Sequence, residues 1–252
     1  MTKISAVIIT LNEEKNIERC VLAAQKVADE VIILDSNSTD NTVELANQLN
    51  CVVVQQVWLG YSAQKNKANA LAKHDFILSL DADEELDQTL INAILEEKSK
   101  GLTCAYSFNR LTNYCGHWIH HSGWYPDKKT RIFPKEGTQW EGEFVHETLK
   151  LPNGCTTVHL DGDLNHYSYN SYDEHRKRAE GYVKLSAESL FERGKQVGLF
   201  KPYLSGIAKF ISMYLFNLGF LDGKMGVMIA WISAEASVKK YLILKQMNKD
   251  RK

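Results

Sequence analysis

Asp81-Ala82-Asp83 follows directly on the apolar run Phe76-Ile77-Leu78-Ser79-Leu80. A short run of this composition reads as a buried strand. Two carboxylates at its exit stand at the carboxyl end of a sheet, where open α/β sheets bind ligands. Spaced two apart on extended backbone, they share one side of the chain. Such a pair can hold a hard divalent cation, which in turn holds a diphosphate. A strand-to-helix turn in which Asp83 or Asp87 caps the next helix uses the same residues without any ligand.

Two other apolar runs end in polar clusters, Thr10-Leu11-Asn12-Glu13 and Asp35-Ser36-Asn37-Ser38-Thr39-Asp40. The first hundred residues alternate strand and helix patterns. Strands are expected at Ile4 to Thr10, Val31 to Leu34, Cys51 to Val54 and the run ending at Asp81. Helices are expected after Asn12 as cap, from Thr42 to Leu49 with Asp40 as cap, over Ser62 to Ala72, and around Leu90 to Lys98. Short connections between such elements argue a parallel sheet with crossover helices. Residues 104–170 are instead rich in aromatics, histidines and short strand-like pieces, and read as an antiparallel extension. From Tyr172 onward the pattern is helical.

The composition narrows the partners. The chain has 252 residues, 44% of them apolar, and a formal net charge of -1, so no global basic field points to nucleic acid. Five scattered cysteines without a C-x-x-C pair read as small apolar residues of a reducing compartment, the cytosol. His117, His120 and His121 lack the second ligand pair that structural zinc sites carry. There is no glycine fingerprint of a dinucleotide site and no phosphate loop ending in Gly-Lys-Ser/Thr.

The three polar strand ends, together with Gln64-Lys65-Asn66-Lys67-Ala68-Asn69-Ala70-Leu71, resemble the family 2 glycosyltransferases. Gly123-Trp124-Tyr125-Pro126-Asp127, Arg131-Ile132-Phe133, Trp140-Glu141-Gly142 and Val145-His146-Glu147 resemble the branch containing lipopolysaccharide inner-core β-1,4-glucosyltransferases. The resemblance implies an α/β fold of GT-A type, a Rossmann-like mixed sheet with a helical C-terminal extension. It divides the chain into a transferase domain, 1–170, and a helical region, 171–252. Within the first, 1–100 would bind the nucleotide sugar and 101–170 the acceptor. It also implies an inverting, metal-dependent hexosyltransferase that moves glucose from UDP-glucose to a heptose of a lipid-linked core oligosaccharide.

Site roles follow from the same resemblance. Thr10, Asn12 and Glu13 would line the nucleoside pocket, and Asp35 would accept the N3–H of uracil, although a turn or cap role serves Asp35 equally. Lys65 and Asn66 stand where relatives often have Arg-Asn; Lys65 would pair with the diphosphate or with Asp81, as a point charge without the bidentate fork of arginine. Asp81 would touch the ribose and the metal, Asp83 would bind Mg2+ or Mn2+ more directly, and His146 would be a third ligand or else a hydrogen-bonded core histidine. An inverting transfer needs one base for the acceptor hydroxyl, and Asp127 and Glu147 both qualify, with Asp127 slightly preferred. Trp124, Tyr125 and Trp140 would offer faces to sugar rings or belong to the core. Arg131 would bind an acceptor or donor phosphate or form a structural ion pair.

Neither Tyr203–Leu221 nor Met225–Leu244 is a charge-free span of about twenty residues. These helices either pack against the domain or lie at the cytoplasmic face of the inner membrane with their lysines toward anionic headgroups. Two rival readings keep the sequence pattern and change the activity. One is transfer to another glycan or to a protein side chain; the other is a non-catalytic module that only binds nucleotide sugar.

Overall fold

The computed structural model describes residues 2–142 and 147–250. The chain divides into two compact units. The first holds Met1–Arg110 and Asp127–Tyr167, the second Leu111–Pro126 and Ser168–Lys252. The expected division at residue 170 assigns 111–126 to the transferase domain, whereas clustering in space groups that segment with the C-terminal helices.

In the first unit, β1 (Ile4–Thr10) lies between β2 (Glu30–Asp35) and β4 (Phe76–Asp81), parallel to both. Every residue of β1 is buried, because both faces of the strand are covered. Its period-two alternation sorts them. Ile4, Ala6 and Ile8 pack with α1 (Ile17–Ala24) and α4 (Gln88–Lys100). Val7 and Ile9 pack with Ala68 of α3 (Tyr61–Leu71) on the other face. Each fully buried Ile or Leu side chain contributes about 1.5–3 kcal/mol. The strand β3 (Val52–Gln55) is short and half-exposed, as an edge strand should be.

Past β4 the sheet turns antiparallel. Its order is β3-β2-β1-β4-β8-β6-β11-β5, where β5 is Glu84–Leu86, β6 Ala105–Tyr114, β8 Asp127–Pro134 and β11 Thr157–Tyr169. The strand β7 (His117–Ile119) pairs with the end of β6. The strands β9 (Gln139–Glu141) and β10 (Thr148–Lys150) form a separate ribbon.

Local chemistry corrects two expected caps and chooses between the two residues offered for a third. Asn12 does not cap the first helix, which starts after Asn16. Instead Asn12 is left-handed, with φ of 55°, and its side-chain oxygen accepts from the Thr39 amide at 2.8 Å. The backbone carbonyl of Glu13 takes the amides of Asn16 and Ile17 in its place. Asp83 caps nothing; Asp87 is the cap of α4, accepting from the Leu90 amide at 2.7 Å. Asn41, not Asp40, holds the cap position of α2 (Thr42–Gln48); Asp40 stands one residue earlier and accepts from the Thr42 amide at 3.0 Å. The short strand β5, directly after the acidic tripeptide, is absent from the sequence expectation.

The second unit is helical: α5 (Tyr172–Glu192), α6 (Lys201–Ile211) and α7 (Gly223–Asp250), with a π-helical turn at Ser212–Phe216 and a 3-10 turn at Gly219–Asp222. Ser171 caps α5, accepting from the Glu174 amide at 3.2 Å. The core of the unit joins Tyr114 and Ile119 to Met213, Ile229 and Ala230. His175 is buried there among the rings of Tyr114, Trp124 and Tyr169, with Nδ1 2.9 Å from the Tyr114 hydroxyl. Burial, helped by the nearby Arg178 charge, pushes its pKa down to about 4.

Two measurements test these packing arguments. Gly162 has φ of +105°, and an added Cβ would lie 2.3 Å from the Leu90 amide nitrogen; Gly162→Ala should lower stability by about 2 kcal/mol or more, read as a fall in urea midpoint. His175 stays neutral in the fold while the unfolded chain takes up a proton below about pH 6.5. Stability should therefore fall as pH drops from about 6.5 to about 4, and be insensitive to this group above that range. The slope between pH 7 and pH 5 should be shallower in His175→Gln.

Candidate active site

The strand register brings the polar clusters to one edge. Thr10 is opposite Asp35, and Ile9 is opposite Asp81. Three parallel strands thus end side by side with Thr10, Asp35 and Asp81 at their carboxyl ends. Asp35 is fully buried and accepts from the Ser38 amide at 2.9 Å and the Ser38 hydroxyl at 2.5 Å. The turn role is therefore present. Asn12 lies on the same turn, its amide donating to Ser38 Oγ at 2.8 Å. The Glu13 carboxylate accepts from Asn16 Nδ2 at 2.7 Å, and its amide donates to Thr42 Oγ1. The buried hydroxyl of Thr10 and the side-chain oxygen of the buried Gln64 are without a hydrogen-bond partner.

Asp81 does not share a direction with Asp83. One Asp81 oxygen is 3.1 Å from Lys65 Nζ, and the other accepts from Arg131 at 2.8 Å. Burial alone would raise the Asp81 pKa, but the Lys65 and Arg131 charges overcome it and hold the group far below the usual carboxylate range. Arg131 also donates to Glu84, whose other oxygen accepts from the Asp81 amide at 3.0 Å. Glu84 is fully buried and Arg131 nearly so. Arg131 thus forms the structural ion pair, the second of its two expected roles.

The ion pairs extend at both ends. Lys65 reaches Glu147 at 3.5 Å. Arg110 lies 3.7 Å from Glu84 and donates to Asp127 from Nε at 3.0 Å and from Nη2 at 2.7 Å. Lys129 is 3.0 Å from the second Asp127 oxygen. Burial pushes the Asp127 pKa up, but Arg110 and Lys129 outweigh it, so the net shift is downward. Both oxygens of Asp127 are engaged by cations, which makes it a weak proton acceptor. That reverses the preference for Asp127 over Glu147.

Asp83 turns to His166, with Nε2 3.2 Å from its carboxylate. The antiparallel pairing of β5 with β11 causes this, setting His166 opposite Glu84. The Tyr167 amide donates to the Asp83 carbonyl at 2.9 Å and fixes the turn. Burial and the carboxylates of Glu84, Asp83 and Asp81 push the pKa of the nearby Cys20 thiol up, which marks this corner as acidic. An imidazole nitrogen and a carboxylate oxygen are a donor set that suits Mn2+ and accommodates Mg2+. The buried Nδ1 of His166 is unpartnered. Among the described residues no three His, Cys, Asp or Glu side chains converge on one cation position. His146, the expected third ligand, lies outside the described residues.

Two other expected site residues are structural. Asn66 donates to the Trp140 carbonyl and accepts from the Trp140 amide, both at 2.8 Å, so it ties α3 to β9. Trp140 is buried against Phe133, and Lys65 lies 4.7 Å above its ring, so it supports the lysine and is not an open sugar platform. Trp124 and Tyr125 belong to the second unit, where Trp124 packs on Tyr114, Tyr169 and His175 and Tyr125 on His120. Glu84, Arg110 and His166 are site residues that the sequence reading missed. Glu84 had a weak signal as the third acid of the run Asp81 to Glu84; His166 and Arg110 had none before the pairing of β5, β6, β8 and β11 is known.

Comparison with known proteins places these observations. The profile of the family described as "Glycosyl transferase family 2" matches residues 5–151. An uncharacterized glycosyltransferase of Rickettsia felis is 31% identical, over 94% of this chain and 87% of its own length. The lipopolysaccharide core biosynthesis glycosyltransferase LpsC of Rhizobium meliloti is 24% identical, over 98% of this chain and 96% of its own. Among solved structures, glucosyl-3-phosphoglycerate synthase of Mycobacterium tuberculosis, in complex with Mn2+ and UDP, superposes on 44% of this chain and 44% of its own, with 24% identity and a TM-score of 0.36.

The buried charges are testable as a unit. Glu84→Gln leaves Arg131 short of its second carboxylate in a dry site and should cost about 3–5 kcal/mol. Lys129→Met removes only a half-exposed partner of Asp127 and should change stability by less than about 1 kcal/mol. Urea unfolding of the two variants beside the parent checks both.

Proposed function

The chain belongs to glycosyl transferase family 2, and we propose that it transfers glucose from UDP-glucose, with inversion, to a heptose of a lipid-linked lipopolysaccharide core at the cytoplasmic face of the inner membrane. The contact series Glu147–Lys65–Asp81, beside the Asp83–His166 pair, carries the transferase chemistry. Near full-length similarity to LpsC supports the acceptor class.

The donor lies across the ends of β1, β2 and β4. Thr10, Gln64 and Asp35 face the nucleoside, and the two unpartnered oxygens of Thr10 and Gln64 are free to bond it. Asp35 exchanges its Ser38 bonds for the imide N–H of uracil, a charge-assisted bond. Lys65 provides positive charge for the diphosphate from within van der Waals reach of the Trp140 ring. Asp83 and His166 would hold Mg2+ or Mn2+, which when bound neutralises charge on the departing diphosphate.

Glu147 is the base. It accepts the proton of the acceptor hydroxyl as that oxygen bonds to C1 of the sugar on the face opposite UDP. The bond from C1 to the phosphate oxygen breaks, and both of its electrons leave with UDP. Charge develops as in an oxocarbenium ion. Lys65, shared between Glu147 and Asp81, holds the two carboxylates in place. Asp127, held by Arg110 and Lys129, positions β6 against β8 and takes no proton.

Glu147→Gln should lower kcat by at least about a hundredfold while UDP still binds. Asp83→Asn and His166→Ala should each lose transfer and lose the Mn2+ enhancement of UDP affinity, measured by calorimetry. Asp127→Asn should keep more transfer than Glu147→Gln; the reverse order would return the base to Asp127. Mass measurement of core oligosaccharide from cells lacking the protein should show the loss of one hexose, and an unchanged core would remove the acceptor assignment.

A further inference from the structure

Within the second unit, α6 has three faces. Pro202 and Gly206 face the interior, and an added Cβ at Gly206 would lie 2.5 Å from Val238 of α7, so the two helices approach closely there. Lys209 and Ser205 occupy a polar side. The third face carries Phe200, Tyr203, Leu204, Ile207 and Ile211, spaced as one helical stripe, and every one of them is exposed. A soluble helix turns such a stripe inward; α6 turns it outward. The turn beyond α6 continues the surface with Leu215, Phe216, Leu218, Phe220 and Leu221, Phe216 being 81% exposed. No charged residue occurs from Phe210 to Leu221. A groove of about 650 Å³ runs between α6 and α7 beside the stripe, lined by Tyr203, Ile207, Phe210 and Trp231 and by the paired charges of Glu235 and Lys239.

The charges beside this surface select its partner. Arg193, Lys195, Lys201, Lys209 and Lys224 are all exposed. Asp222 is the only acid between residues 193 and 234. Its side chain is 3% exposed, because its oxygens accept from the amides of His120 and His121 and from the Ser122 hydroxyl. A second copy would set basic edge against basic edge. A bilayer with anionic headgroups meets the lysines with opposite charge while it buries the stripe. Lysine stems reach past apolar surface to headgroup level. Depth follows from length. At about 1.5 Å per residue, α6 is near half of the roughly 30 Å hydrocarbon thickness. Among the described residues no single helix is long and apolar enough to cross a membrane, and the pair Lys201–Phe216 and Gly219–Asp250 passes that test only jointly, with a bend of 74°.

We propose that the outward stripe of α6 and the Leu215–Leu221 turn embed in one leaflet of an anionic bilayer, with α6 lying along the surface. This gives the lipid-linked acceptor reading its membrane-bound face and rests on that reading for its purpose, while its geometry stands on the second unit alone.

The test is vesicle flotation of the full chain with phosphatidylcholine alone and with added phosphatidylglycerol, at low and high salt. The chain should float with the anionic vesicles, and more weakly with neutral ones or in high salt. The double variant Ile207→Glu, Phe216→Glu should reduce the bound fraction roughly tenfold or more with an unchanged melting temperature. Failure of the parent chain to float, or flotation of the variant equal to the parent's, overturns the proposal. A dimer that the variant dissociates, without vesicle binding, assigns the face to a second copy and also overturns it. Transfer to a delipidated core oligosaccharide separates the two readings. Transfer retained without flotation removes the membrane face alone; flotation without transfer to any core acceptor removes the acceptor assignment and leaves the face standing.

Discussion

One line of alternating charges organises the first unit: Glu147, Lys65, Asp81, Arg131, Glu84, Arg110, Asp127. Each internal member has a neighbour of opposite sign on both sides. Glu84 is fully buried, and a buried carboxylate without a cation beside it is costly. The line also crosses the sheet, since its members come from α3, β4, β5, β6 and β8. It therefore fixes where parallel and antiparallel halves meet. Such pairs give little net stability against apolar replacements, so their presence beside the strand ends points to position and charge as the property retained.

The same line explains why the two acids of the tripeptide behave differently. Asp81 is already neutralised by protein cations. Asp83, two residues later, has left the strand and faces a single imidazole. The second acid thus pairs with a histidine, and the first is committed to holding Lys65 in place. Lys65 then presents positive charge between Asp81 and Glu147. This division of labour needs only the local turn at Ala82 and the three-residue strand that follows it.

Much of this was legible in the residues. Strands beginning at Ile4 and ending near Asp35 and Asp81 follow from short apolar runs closed by polar clusters, and their parallel pairing follows from the intervening helical patterns. Adjacent strand ends make Thr10, Asp35 and Asp81 neighbours once that pairing is accepted. The antiparallel half was less readable. Which residue of β11 faces Asp83 depends on register with β5, a strand of three residues with no hydrophobic signature of its own. Trp140 and Arg131 were left open between two roles for a related reason: residue type says what a side chain can bind, and only packing says whether it is already bound. Asn12 shows the same at small scale, because an asparagine before an apolar run can cap a helix or adopt a left-handed turn.

The borders of the two units fall inside β6 and β11, between Arg110 and Leu111 and between Tyr167 and Ser168. Neither unit is thus a continuous length of chain. A shortened protein ending at residue 170 would keep Tyr114 and Ile119 but discard Met213, Ile229 and Ala230, on which they pack. It would expose an oily hole in what remains. The helical tail is no detachable accessory: gene-level trimming of it removes half of a core whose other half is threaded through the middle of the polypeptide.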